Sequence, residues 1–142
     1  MRIDGVLHGE LIHADGTVEK VVRHNMIVDS GFDFICDVMG NATQPGAMGY
    51  IGVGTGTTPA NASQTALGDE LSRNAATYSH TAGTKVFTLS ADFNEGDATG
   101  AITEAAVFNA AANGTMLDRV VFDVINKGAN DKFKATFEFT LS

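Results

Sequence analysis

YIGVGTGTTPANASQTALGDELSR, residues 50–73, is the segment around which the rest of this chain is organised. Its first four residues have the composition of a short buried strand, and the glycines after them predict a tight loop. The run lacks the Gly-Lys-Ser/Thr ending of a phosphate-binding loop, and its proline disfavours a helix directly after the last glycine. A structural turn is therefore favoured over a nucleotide site. The interaction candidates in this part are Tyr50, Gly52, Gly54, Gly56 and Pro59.

The second half of the same segment predicts a short turn of helix over residues 66–73. Leu67 and Leu71 would fall on one face of that turn and form an apolar anchor. Glu70 and Arg73 stand three residues apart, a spacing at which oppositely charged side chains pair on a helix. Leu67, Glu70 and Arg73 are therefore candidates for a structural contact.

The composition is that of a single globular β domain. The chain has 142 residues, of which 44% are hydrophobic, with 16 glycines, nine phenylalanines and no tryptophan. Apolar and polar residues alternate over residues 3–13, 18–27, 85–93 and 133–141, as they do in half-buried strands. With turn signals between them, about eight strands are expected. The fold predicted is an antiparallel β-sandwich with one short helix.

Two local signals concern the N-terminal third. The Asp15-Gly16 pair predicts a tight hairpin between the first two strands, with Glu10 across from Lys20. A helix is predicted over residues 32–39 because its apolar residues recur at helical spacing, with Asp29 or Ser30 as the N-terminal cap and Gly40 as the C-terminal cap.

Charge and cysteine content limit the function classes. The net charge is −8 and no cluster of Lys or Arg occurs, which argues against nucleic-acid binding. Cys36 is the single cysteine, so no intrachain disulfide can form, and its apolar neighbours predict a buried position. No segment has the length of a membrane span and the first residues lack the layout of a signal peptide, so synthesis in the cytoplasm is expected.

The sequence contains only weak indications of a metal-binding site. His8, His13 and His24 lie in the first two predicted strands, but His8 and His13 would point to opposite faces, and whether any of the three binds a metal stays open. An acidic turn at residues 92–97 does not match a calcium loop. No metal or cofactor is predicted.

The sequence also contains only weak indications of a catalytic site. Glu70 and Glu104 could form a pair of catalytic carboxylates, but Arg73, Arg119 and Lys127 are available as simple ion-pair partners. No serine stands in a nucleophile elbow. The residues therefore favour a protein that is not an enzyme and takes no small-molecule substrate.

The central segment resembles a group of small structural proteins of tailed bacteriophages, of the head-decoration and tail-fibre kinds. The order Ile-Gly-Xaa-Gly-Thr-Gly-Xaa-Thr-Pro and then Leu-Xaa-Xaa-Glu-Xaa-Xaa-Arg is shared. Three other segments, one before the central segment and two after it, occur in the expected order along the chain, although Ala106 stands where those proteins more often have glycine. They are Asn25–Gly31, Ile102–Asn109 and Met116–Phe122 with Lys127.

The resemblance implies a virion component without catalytic residues. As a capsid decoration, or cement, protein it would sit on the outer surface of the head, bind the major capsid protein and associate as a homotrimer. Its contact candidates would include Glu104, Phe108, Arg119 and Lys127. Residues 1–24 lie largely outside the matched region and are predicted to form an arm on a core of residues 25–142. The alternatives are a tail-fibre or receptor-binding component and, in another class, a carbohydrate-binding sandwich.

Overall fold

The computed structural model describes residues 1–142 and consists of ten strands and one helix. The elements are β1 (Ile3–Ile12), β2 (Val18–His24), β3 (Met26–Ile27), α1 (Asp29–Gly40), β4 (Tyr50–Gly54), β5 (Glu70–Ala75), β6 (Thr77–His80), β7 (Val86–Phe93), β8 (Gly100–Phe108), β9 (Asp118–Lys127) and β10 (Lys132–Leu141). Sheet 1 has the strand order β2-β1-β10-β7-β6, and sheet 2 has the order β3-β9-β8-β4-β5. All pairings are antiparallel.

The alternating segments form the core of the sandwich, as predicted. β1, β7 and β10 each turn every second side chain inward, where they meet the inner face of sheet 2 in a cluster of 19 buried residues. Phe137 and Phe139 stack at 6.1 Å between ring centroids within it. The all-β sandwich with one helix is confirmed, although short strands such as β3 and β6 raise the count above the predicted eight.

β8 is buried on both of its faces. Residues such as Ala105 and Val107 point into the main core, whereas Ala106 and Phe108 belong to a second apolar cluster on the outer side of sheet 2. Leu67, from the long connection between β4 and β5, joins that second cluster. The connection, residues 55–69, therefore lies over the outer face of sheet 2 as a third layer. The small residues of β8 accommodate this close packing.

The helix predicted over residues 66–73 is wrong. β5 begins at Glu70 and pairs with β4 along its length, with an irregularity between Val53 and Gly54. Leu67 is buried, but Leu71 is 41% exposed, so the two leucines do not share an apolar face. The backbone partners that β4 offers to residues 70–75 outweigh a local helical tendency of one or two turns.

The predicted helix exists, but its caps and its cysteine differ from expectation. Val28 occupies the N-cap position without a side-chain cap, and Ser30 instead donates its hydroxyl to the Met116 carbonyl. Gly40 is still helical and is followed by Asn41 in an extended conformation. Cys36 is exposed. Gly31 is the one buried residue of this helix and Ile35 packs half-buried against the main core, whereas Cys36 faces solvent.

The N-terminal hairpin forms as predicted, with Gly16 at a positive φ of 89°. Glu10 lies across from Lys20, at 3.8 Å between the charged atoms. On its other side β1 pairs with β10 over ten positions, and Leu7 and Leu11 are completely buried. β1 is thus part of the core. Within residues 1–24, β2 and its turn form the exposed part of the hairpin that would reach a neighbouring subunit.

Candidate functional site

Glu104 lies at the centre of a polar network between sheet 2 and the connection of residues 55–69. The middle of β8 holds it, and its side chain is completely buried. Its carboxylate accepts hydrogen bonds from the backbone N–H groups of Gly56 at 2.6 Å, Gly68 at 2.7 Å and Asp69 at 2.8 Å. One carboxylate therefore ties both ends of the long connection to the sheet.

Arg119 completes the network from the neighbouring strand β9. Its side chain is 1% exposed and donates to Glu104 Oε1 from Nε at 3.1 Å and from Nη2 at 2.9 Å. Its remaining Nη1 donates to the Thr58 carbonyl at 2.7 Å and to Gln64 Oε1 at 3.1 Å. The guanidinium thus fixes the middle of the connection while the carboxylate fixes its ends.

The electrostatics of this pair favour a permanently charged state. Burial would raise the pKa of Glu104, but the N–H groups of Asp69 and Gly68, the Arg119 guanidinium and the Gly56 N–H together hold that pKa below its ordinary value. A carboxylate that accepts this many hydrogen bonds is a poor base. The arrangement is suited to holding a loop in shape and not to proton transfer.

Two glycines make room for the carboxylate. A Cβ on Gly56 would lie 2.3 Å from Glu104 Oε2, and a Cβ on Gly54 would lie 2.3 Å from the Asp69 carbonyl and 2.7 Å from the same carboxylate oxygen. Neither glycine has a positive φ. These positions are therefore glycine because of close approach and not because of a turn conformation.

A second network fixes the start of β5 to the turn after β8. Arg73 donates to Glu70 from Nε at 2.9 Å and from Nη2 at 2.7 Å, which confirms the predicted pair. Its Nη1 donates to the carbonyls of Ala110 and Asn113 at 3.0 and 2.7 Å. The guanidinium carbon also lies 3.5 Å from the centre of the Phe108 ring, in cation–π geometry.

The remaining candidates have supporting roles or lie elsewhere. Tyr50 is half-buried and pairs with Phe108 and Ala75 in sheet 2. Gly52 faces the Phe108 ring, where a Cβ would be 3.0 Å from it, and Pro59 lies exposed on the connection.

Lys127 does not join either network. It lies at the opposite end of the β8–β9 ladder, where its Nζ donates to the Asn94 carbonyl at 2.9 Å. Burial lowers its pKa, and the charges of Asp97, Asp131 and Glu95 partly offset that effect. The prediction that this lysine is an available partner for Glu70 or Glu104 is therefore wrong.

Asp118 is a further buried polar group, and no motif in the sequence indicated it. Its Oδ1 accepts the Val107 N–H at 2.9 Å, and its Oδ2 accepts from the Asn25 amide. Burial raises the pKa of Asp118 to about 7, and the bonds from Val107 and Asn25 only partly oppose this. Asn25 Oδ1 is itself buried without a partner. The hydrogen bond between Asn25 and Asp118 fixes the chain where it passes from β2 of sheet 1 to β3 of sheet 2.

No group of three His, Cys, Asp or Glu side chains is arranged to hold a metal ion. His8 and His24 are exposed on β1 and β2. His13 lies between Glu19 at 2.5 Å and Asp131 at 3.2 Å, and the hydrogen bond to Glu19 and the charge of Asp131 raise its pKa. No helix of the structure is long and apolar enough to cross a membrane.

An apolar cleft lies away from both networks. It has a volume of about 650 Å³ and separates α1 from the edge of sheet 1. Thirteen of its fifteen lining residues are hydrophobic, among them Val38, Met48, Phe87 and Leu117. None of its lining side chains is acidic or basic, so it has no group for acid–base chemistry.

Comparison with known proteins gives no relative. No protein-family model matches the chain, and neither the curated proteins nor the solved structures include a significant match.

Proposed function

We propose that this chain is a structural protein of a tailed-phage virion and that it decorates the outer surface of the capsid. One observation carries the proposal. The residues that carry the phage resemblance, among them Gly56, Glu70, Arg73, Glu104 and Arg119, take part in two contact networks that hold the 55–69 connection and the start of β5. These motif residues hold the backbone in a fixed shape. That role is expected in a protein whose function is to present a binding surface.

The exposure and the fixed shape of the connection suit it to be a contact surface. Thr57, Thr58 and Pro59 are exposed at its tip, while the segment beneath them is tied to buried Glu104 and Arg119. A surface segment that is already ordered loses little conformational entropy when it binds. This favours a contact with the capsid protein through residues 57–59. Threefold self-association on the surface of the assembled head remains part of the proposal, as the resemblance implies.

Two other functions stay as alternatives. A tail-fibre or receptor-binding role would use the same rigid connection against a different partner. A carbohydrate-binding role needs exposed aromatic platforms, but Tyr50 is half-buried and only Tyr78, at 59% exposure, offers a large aromatic face among the two tyrosines. Carbohydrate binding is therefore the less well supported of these two alternatives.

Cryo-electron microscopy of virions that carry or lack the chain tests the proposal. We expect additional density at regular positions on the head. Density confined to the tail would instead support the tail-fibre alternative, and absence of the chain from purified virions would refute a structural role.

The contact surface is tested with two matched variants. T57K places a long charged side chain at the exposed tip of the connection and should strongly reduce the amount bound to heads. T81K adds the same side chain at the exposed β6–β7 turn of sheet 1 and should leave binding unchanged. Equal binding by both variants would exclude residues 57–59 from the contact.

A further inference from the structure

The edge strand β2 is exposed along most of its length. It is the outermost strand of sheet 1 and pairs only with β1. Six of its seven residues are exposed, including Val18 at 48% and Val22 at 59%. Long exposed edge strands invite pairing with another chain. What β2 could pair with follows from its hydrogen-bonding pattern and its charges.

The register of the hairpin shows which backbone groups of β2 are free. The His13 N–H bonds to the Thr17 carbonyl, and the Asn25 N–H bonds to the Gly5 carbonyl. In an antiparallel ladder the bonded positions alternate, so residues 17, 19, 21, 23 and 25 direct their polar groups toward β1. The N–H and C=O groups of Val18, Lys20, Val22 and His24 therefore point outward along the free edge.

These free groups match a second copy of the same strand. An antiparallel pair of β2 strands related by a twofold axis at Val21 would place Lys20 opposite Val22 and Val18 opposite His24 in the bonded positions, where the free groups lie. Glu19 would then face Arg23 of the second copy in the non-bonded positions, where side chains approach most closely. The pairing thus forms two opposite-charge contacts by symmetry.

Charge also excludes the nearest competing register. A twofold axis at Lys20 would satisfy the same backbone pattern but would set the two Lys20 side chains directly against each other, which is unfavourable. An axis at Val22 avoids that repulsion but forms no Glu19–Arg23 contact and shortens the paired segment. The axis at Val21 uses all seven residues of the strand and has no like-charge pair.

We propose that two copies of this chain associate through β2, in an antiparallel pairing centred on Val21 that joins their sheets 1 into one ten-stranded sheet. The inference does not depend on the capsid assignment, because it rests on the edge strand itself. The 55–69 connection belongs to sheet 2, so the twofold contact would leave residues 57–59 free for another partner.

The first test measures the oligomeric state of the full chain by sedimentation velocity over a range of concentrations. We expect a species of twice the 14.8 kDa chain mass whose fraction rises with concentration. V22P removes an outward N–H without breaking a bond to β1, as proline is tolerated at such edge positions, and should give only the monomer. V22T keeps the N–H and should still form the dimer.

Charge variants test the register. R23E would bring two acidic residues together at both symmetric contacts and should weaken association about tenfold. E19R combined with R23E restores opposite charges and should restore association. Circular dichroism should show that both variants remain folded. A monomer at every concentration, or self-association that neither V22P nor R23E changes, would overturn the proposal.

Disulfide crosslinking locates the axis. In a background with Cys36→Ser, V21C should form a covalent dimer on oxidation, because non-bonded antiparallel positions lie about 4.5 Å apart between Cα atoms, within disulfide range. V18C should not, since residue 18 faces residue 24 of the other copy. A dimer from V18C but not from V21C would contradict the register.

Discussion

Glu104 and Arg119 form a buried ion pair in which the carboxylate and guanidinium groups are bonded to the connection as well as to each other. Such pairs contribute little net stability over an apolar replacement, but breaking one leaves an uncompensated buried charge. Their value here is geometric, because the bonds reach Gly56, Thr58 and Gly68 and so fix the path of the connection. Two buried side chains, Glu104 and Arg119, therefore determine the shape of the surface that the connection forms.

E104Q tests this interpretation. It keeps the shape of the side chain but removes its charge, so Arg119 becomes a buried cation without a counterion, and the free energy of unfolding should fall by about 3–5 kcal/mol. E70Q is the comparison variant, because Glu70 is 31% exposed at its side chain, although its partner Arg73 is only 8% exposed, and it should cost less than E104Q, about 1 kcal/mol. Urea denaturation measures both. Equal losses would mean that burial of Glu104 does not matter.

Asp118 should make stability depend on pH. Its folded-state pKa of about 7 lies above its ordinary 3.8, so the folded protein retains a proton that the unfolded chain releases. This contribution is complete below pH 3.8 and is lost as the pH rises through 7, at up to about 1.4 kcal/mol per pH unit.

D118N removes that dependence. The variant keeps an acceptor for the Val107 N–H and offers an amide N–H to Asn25 Oδ1 once the Asn25 amide rotates. Urea titrations at pH 5, 6 and 7 should show stability falling with pH in the parent protein and staying flatter in D118N. Parallel curves for the two proteins would show that Asp118 does not titrate in this range.

At the scale of elements, the connection of residues 55–69 behaves as a third layer on sheet 2. Its apolar contact comes from Leu67, and its polar contacts come from Glu104 and Arg119. The layer depends on close approach to β4 and β8, which is why β4 alternates large inward residues with glycines on its outer face.

G56A tests this dependence on close approach. The added Cβ would meet the Glu104 carboxylate, whose position is held by five hydrogen bonds, so the variant should lose about 2–3 kcal/mol of stability as an overpacked site. G40A is the control, because a Cβ there meets nothing within 4 Å and the residue is helical. It should gain up to about 1 kcal/mol. Thermal unfolding distinguishes the two, and a neutral G56A would refute the packing argument.

At the scale of the whole molecule, the two proposed contact surfaces lie on different sheets. The tip of the connection lies on sheet 2, and the free edge of β2 lies on sheet 1. The net charge of −8 opposes self-association at low ionic strength. Opposite charges at the β2 edge counteract this repulsion locally.

Association through β2 predicts that thermal stability depends on protein concentration. Because a dimer binds only the folded chain, the melting temperature should rise as the concentration increases. V22P should have a melting temperature that does not change with concentration, and T81K should behave like the parent. Scanning calorimetry at concentrations about a hundredfold apart measures this. A parent melting temperature that is independent of concentration would contradict the dimer.

Local periodicity was enough to predict much of the sandwich. The alternation in β1, β7 and β10 depends only on successive side chains pointing to opposite faces, and it was correct at each of these strands. The hairpin at Gly16 was also predictable, because it involves residues close in sequence. The pair of Glu70 with Arg73 forms as predicted, but on a strand and not on the helix from which it was inferred.

The sequence by itself thus determined the fold class and the residues that point into the core. Only the tertiary structure decided that residues 70–75 form a strand, that Cys36 is exposed and that β1 is internal to its sheet. It also decided what Glu104 does, because the groups that bind it come from positions as many as 48 residues away. The physical reason is that periodicity reports which side of an element is apolar, whereas the partners of a buried charge depend on which distant segments fold over it.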